Sequence, residues 1–87
     1  MYLSMDEKFQ TACQQVRNFT KRPPDSDMLE LYSLFKQATI GNINIAKPTD
    51  AKGKVKWDAW NTRTGMSQVE AKKNYIELAR NFASKYE

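Results

Sequence analysis

The chain has 87 residues, 40% of them hydrophobic, with 14 Lys and Arg against 10 Asp and Glu and no histidine. That length suits one small domain over residues 1–87, and the composition excludes a disordered chain and a membrane span. Without histidine the commonest general base and the commonest metal ligand are missing, and one cysteine, Cys13, can build neither an internal disulfide nor a multi-cysteine metal site.

The start "MYLSMDEKFQ" lacks the basic opening and long apolar run of a signal peptide, so a cytoplasmic protein is expected. The first helix is predicted over about residues 4–19. Met5, Phe9, Ala12, Cys13 and Val16 recur at helical spacing, and Ser4 with Glu7 reads as a capping box. Pro23 and Pro24 then interrupt the chain.

A second helix is predicted over about 25–40, with Asp25 as N-cap and Gly41 as the residue just past its end. Its apolar face, Met28, Leu29, Leu31, Tyr32, Leu34, Phe35 and Ala38, is wider than a surface helix needs, so the helix should pack on two sides. Ile43 and Ile45 alternate with polar residues but have no second strand to pair with, so this stretch reads as an ordered loop. A short third helix over about 53–62 carries Trp57 and Trp60, expected as core rings, with Gly65 marking its end. A fourth over about 67–86 opens on Ser67 with Glu70 and runs Tyr75, Ala79, Phe82 and Tyr86 down one face. The expected class is all-α, a bundle of four helices.

Charge is uneven. Residues 1–44 balance five basic against five acidic side chains, whereas 45–87 hold nine against five. Lys47, Lys52, Lys54 and Lys56 crowd together, which suits an anionic partner. On a helix Lys54 and Lys56 diverge by about 200°, so only some of these lysines can face one ligand. Phosphate-binding glycine loops and nucleophile motifs are absent, which favours a binding protein over an enzyme, with no catalytic residues, metal ligands or cofactor. Tyr32, Phe35 and Lys36 share a helix face at i, i+3 and i+4. Taken alone they read as core rings beside a solvated lysine. Joined with Lys56 and Tyr75 they offer rings for stacking and ammoniums for phosphates, the pairing that a nucleotide-bearing ligand uses. A small nucleic-acid-binding domain and a protein-interaction module are the competing classes, and buried tryptophans and a small charge excess speak against nucleic acid.

"LYSLFKQATIGNINIAKP" followed by "KGKVKWDAWN" closely resembles the acyl-CoA-binding protein family, also called diazepam-binding inhibitor, and the resemblance extends from about Met5 to Tyr86. It implies an up-down-down-up bundle of four helices that binds one long-chain fatty acyl-CoA, acts as a non-catalytic carrier and pool former, and hands its ligand to acyl-CoA-using enzymes and transiently to membrane surfaces. A monomer with no nucleic-acid partner is expected. Position by position, the resemblance places Tyr32 beside the adenine, Lys36 and Lys56 on the phosphates, Tyr75 against the nucleotide, and Met28 and Leu29 along the acyl chain. Phe9 and Ala12 match first-helix positions near the ligand. Arg17 stands where the family often has lysine, and Lys52 matches a ligand-side lysine. Phe35 departs from the usual tyrosine. The loop from Thr49 to Lys52 is about two residues shorter than in typical members, and of the apolar run near the acyl chain it keeps only Ala51.

Overall fold

The structure, a computed structural model, describes residues 3–87 and contains four helices: α1 (Met5–Arg17), α2 (Asp25–Thr39), α3 (Ala51–Asn61) and α4 (Gln68–Tyr86). Among the described residues there is no strand, and no helix is long and apolar enough to cross a membrane. The stretch around Ile43 and Ile45 is a loop, as its lone alternation implied.

The helix ends follow local chemistry. At the start of α1 the Glu7 N–H donates to Ser4 Oγ at 3.1 Å, and the Glu7 carboxylate accepts from the Ser4 N–H at 3.0 Å. Two orphan amides are thereby satisfied, and these bonds hold the Glu7 carboxyl below its ordinary range. At α4 the Glu70 N–H donates to Ser67 Oγ at 3.1 Å. The start of α2 differs from the sequence expectation. The cap position is Pro24, with φ −57° and no side-chain cap, and Asp25 is the first helical residue. Proline's fixed φ launches the helix, and Asp25 and Asp27 contribute charge at its positive end instead of a capping bond. Gly41 ends α2 at φ +98°, as expected of a residue just past a helix C-terminus. The end of α3 is a second correction: the helix stops at Asn61, and Gly65, at φ +96°, closes the turn that follows.

Cross-helix bonds fix the directions. Lys72, near the start of α4, pairs with Asp6, near the start of α1, at 2.7 Å, while the Lys21 N–H just beyond α1 donates to Tyr86 O at the end of α4. These two helices are therefore parallel. The Tyr86 hydroxyl reaches Asp27 at 2.6 Å and Gln68 Nε2 donates to Ala38 O, so α2 runs antiparallel to α4. Trp60 Nε1 donates to Gly41 O at 2.9 Å, joining the far ends of α2 and α3, which run parallel. The result is the up-down-down-up bundle. Two parallel neighbours cannot share a tight turn, and residues 40–50 carry the chain back along their length.

α4 is the centre of the core, packed on α1 and α2, and α2 packs on α3 with its other side, as its wide apolar face predicted. Ala71 and Ala79, fully buried, let the helices approach closely, and Phe9, Leu31, Leu34, Tyr75 and Phe82 fill the space between them. Beneath the crossover a buried glutamine anchors a polar cluster. Gln37 Nε2 donates to Met66 O at 2.7 Å and to Asn42 Oδ1 at 2.9 Å, and Asn42 Oδ1 also accepts from the Gly65 N–H. One amide thus ties α2 to both loops.

Asp50 caps α3, accepting from the Gly53 N–H at 2.8 Å. A Cβ on Gly53 would lie 2.6 Å from Asp50 Oδ1 and 2.7 Å from the Pro48 Cβ. Ala is the better helix former by ~1 kcal/mol, whereas losing a cap costs ~0.5–2 and overpacking ~1–3 kcal/mol. Gly53→Ala is therefore expected to destabilise the protein by about 1–2 kcal/mol in urea unfolding, against the direction that propensity alone gives.

Candidate functional site

The half-buried trio Tyr32, Phe35 and Lys36 divides between two environments. Phe35 turns toward α1 and α4. Its ring stacks on Phe9 with centroids 5.9 Å apart and lies 6.1 Å from Tyr75, while Phe9 and Tyr75 meet at 5.1 Å. Tyr32 turns toward α3. The Lys56 ammonium sits 5.6 Å from its ring centroid, and the Lys36 ammonium sits 5.9 Å from it and 5.5 Å from the Trp60 ring. Cation–π attraction holds each lysine with ~0.5–1 kcal/mol, enough to orient it and too little to neutralise it. The ion pairs among the described residues join Arg22 to Asp25, Lys47 to Asp58 and Lys72 to Asp6. Lys36, Lys56, Lys52 and Arg17 are left without a carboxylate partner there, so two uncompensated ammoniums lie close to the Tyr32 ring.

A cleft of about 590 Å³ opens beside this ring, between the parallel helices α2 and α3. Met28, Leu29 and Tyr32 form one wall; Ala51, Lys52, Val55 and Lys56 form the other. Its lining is mainly apolar, with ammoniums along the α3 rim. Lys52 and Lys56, four residues apart, share the cleft side of α3, and the exposed Lys54 lies outside the lining, as the divergence of alternate helical residues requires. Residues 51 and 52, expected in the loop, belong to the first turn of α3 because the Asp50 cap starts the helix two residues early. That placement turns Ala51 and Lys52 into cleft residues. Val55, 49% exposed, is a wall residue not singled out in the sequence. Its spacing from Lys52 was the available signal.

Of the expected site residues, Met28, Leu29, Tyr32, Lys52 and Lys56 therefore converge on one cleft, with Lys36 at its Tyr32 end. Phe35, Tyr75 and Arg17 do not line it. Tyr75 is only 5% exposed, a core ring between Phe9 and Phe35. Arg17 is exposed near the end of α1, where its Nη1 donates to Gln14 Oε1 at 3.4 Å. The tryptophans also part. Trp60 is buried at 2%, whereas Trp57 is half-buried, donates Nε1–H to Ile45 O at 2.8 Å and carries the Lys47 ammonium over its face at 5.6 Å. Trp57 is a clamp on the crossover rather than a core ring, because its partner is a surface loop.

Burial pushes both the Tyr75 phenol and the nearby Cys13 thiol above their ordinary pKa values, and the Arg17 guanidinium opposes both shifts in part. Neither group ionises near neutral pH, so neither supplies a nucleophile or a base. Among the described residues no three His, Cys, Asp or Glu side chains gather where they could hold a metal ion.

Residues 6–79 match the family model described as "Acyl CoA binding protein". The chain is 44% identical over 84 residues to an acyl-CoA-binding protein homolog of Drosophila melanogaster, covering 94% of this chain and 98% of that protein. Among solved structures, Oryza sativa acyl-CoA-binding protein 2 superposes with a TM-score of 0.89 at 30% identity, over 94% of this chain and 93% of that one. The yeast acyl coenzyme A binding protein gives 0.73 at 38% identity, over 90% and 93%.

Cys13 and Tyr75 have pKa values raised by burial in the fold, so each binds its proton more tightly there than in the unfolded chain. Their contribution to stability is complete below the ordinary values of 9.0 and 10.0 and is lost as pH rises beyond them. Unfolding free energy, followed by circular dichroism, is expected to fall from about pH 9 upward. Tyr75→Phe should flatten that fall.

Proposed function

This chain belongs to the acyl-CoA-binding protein family, and we propose that the α2–α3 cleft is where it holds a long-chain fatty acyl-CoA. Members of the family are binding and carrier proteins rather than enzymes, and this chain binds acyl-CoA as a carrier. The observation that favours the cleft is the Tyr32 ring with the Lys36 and Lys56 ammoniums 5.9 and 5.6 Å from its centroid, neither with a carboxylate partner among the described residues, at the head of an apolar channel.

Coenzyme A brings a pyrophosphate and a ribose 3′-phosphate at one end and an acyl chain at the other. Charge-assisted bonds from Lys36 and Lys56 to phosphate oxygens contribute ~1.5–3 kcal/mol each in a partly dry site. Stacking of the adenine on an aromatic ring such as Tyr32 adds ~1–3 kcal/mol. Each methylene buried along Met28, Leu29 and Val55 adds ~0.8 kcal/mol. The head group therefore orients the ligand, and the tail supplies a comparable share of the affinity. Lys52 adds a cation along the α3 rim. Arg17, Phe35 and Tyr75 stand on the opposite side of α2, at the α1–α4 seam, and join the site where the head group reaches across Lys36.

In the proposed role the protein is a monomer that keeps acyl-CoA in a bound pool, needs no cofactor, and delivers its ligand to acyl-CoA-using enzymes and membrane surfaces. Titration calorimetry tests the site: palmitoyl-CoA should bind far more tightly than free coenzyme A, and equal affinities would refute a channel for the tail. Lys36→Ala and Lys56→Ala should each weaken CoA esters by roughly ten- to a hundredfold while sparing free fatty acid. The wild-type affinity should drop as salt is added. Equal losses for ester and fatty acid would count against the phosphate assignment.

A further inference from the structure

Tyr32 and Lys36 stand about one helical turn apart on α2, and so do the residues that follow each of them, Ser33 and Gln37. The second pair lies about 100° around the helix axis from the first. Ser33, 2% exposed, and Gln37, 0% exposed, are the buried polar side chains among the described residues. A buried polar group needs a partner, and both find one in the turn between α3 and α4. Arg63 Nε donates to Ser33 Oγ at 3.0 Å, and that hydroxyl donates in turn to Glu30 O at 2.8 Å. Met66 O accepts from Gln37 Nε2 at 2.7 Å. Residues 63–66 are thus strapped to one row of α2, while the neighbouring row carries Tyr32 and Lys36.

The strap continues into α3. The Arg63 N–H donates to Trp60 O at 2.9 Å, and the Trp60 ring carries the Lys36 ammonium. Lys56 precedes Trp60 by one turn and reaches the Tyr32 ring. Arg63 itself does not line the cleft. We propose that Arg63 is a positioning residue for the head-group end of the cleft. Its bond to Ser33 fixes how closely the Trp60 end of α3 approaches α2, and so where Lys36 and Lys56 stand around Tyr32. This inference rests on the reading of that end as the phosphate site. Two ammoniums serve one head group best when both already stand near it. A loosened α3 has to be ordered on binding, and that cost is taken from the affinity. The head group is common to coenzyme A and its esters, so the loss is common to both.

The test is titration calorimetry of free coenzyme A and palmitoyl-CoA against Ser33→Ala, Arg63→Leu and the double variant, with folding checked by circular dichroism. Each single variant should weaken both ligands by the same factor, roughly two- to tenfold, the span of one intramolecular hydrogen bond. The double variant should stay within about twofold of the weaker single, because both changes remove one bond. A loss in Arg63→Leu without one in Ser33→Ala would show that the guanidinium charge acts rather than the bond, and overturns the inference. So do losses that multiply in the double variant, and so do unchanged affinities with a lower urea midpoint, which mark a bond that serves the fold alone. In each of these cases a weakened Lys56→Ala leaves the phosphate site standing. A Lys56→Ala variant that binds coenzyme A as tightly as the wild type overturns both.

Discussion

Two indole N–H groups hold the feature on which the rest of the site depends, the crossover between parallel helices. Trp60 donates to Gly41 O and Trp57 to Ile45 O, so the chain leaving α2 is stitched to α3 before and after it turns back. A parallel pair has no short turn to keep it in register, and its long connection brings no order of its own. The tryptophans supply that order from one helix. Gln37, buried beneath, anchors the start of the same crossover to the loop before α4 through Asn42 and Met66. With the crossover pinned, α3 lies alongside α2 and leaves between them a channel that an antiparallel hairpin would have closed with its turn.

α2 is consequently a helix with two duties. Leu31, Leu34 and Ala38 pack into the α1–α4 core, and Phe35 joins them through Phe9 and Tyr75. Met28, Leu29 and Tyr32 remain as the wall of the channel. The division explains why its apolar face is too wide for an ordinary surface helix. Lys36 sits at the border of the two faces and rests its ammonium on the Tyr32 and Trp60 rings, held in place without being neutralised.

The start of α3 matters as much as its position. Capping by Asp50 begins the helix at Ala51 and places Lys52, Val55 and Lys56 at successive turns on the channel side. A lysine at 54 projects elsewhere for the same geometric reason. The Gly53 backbone lies so close to Asp50 and Pro48 that the cap and the glycine act as one unit. At the far end of the channel the wall residue Ala51 is small, and the Arg22–Asp25 pair beside it stands in water.

The sequence alone determined the four helices, most of their ends, the family and the chemical kind of ligand. Periodic apolar positions, the Ser4–Glu7 and Ser67–Glu70 signals, the Pro23–Pro24 break and the glycine at 41 are local, and local rules suffice to read them. Local rules failed by a residue or two where a neighbour intervened, at the proline-led start of α2 and the Asp50-led start of α3. Only the tertiary structure decided which face of each helix meets which partner. A helical pattern puts Tyr32, Phe35 and Lys36 on one side, but the rings part because α4 lies to one side of α2 and α3 to the other. In the same way Tyr75 sinks into the core, Trp57 becomes a loop clamp, and Lys52 joins Lys56 along the channel. Spacing along one chain fixes directions around a helix axis; the packing of one helix against another fixes what those directions point at.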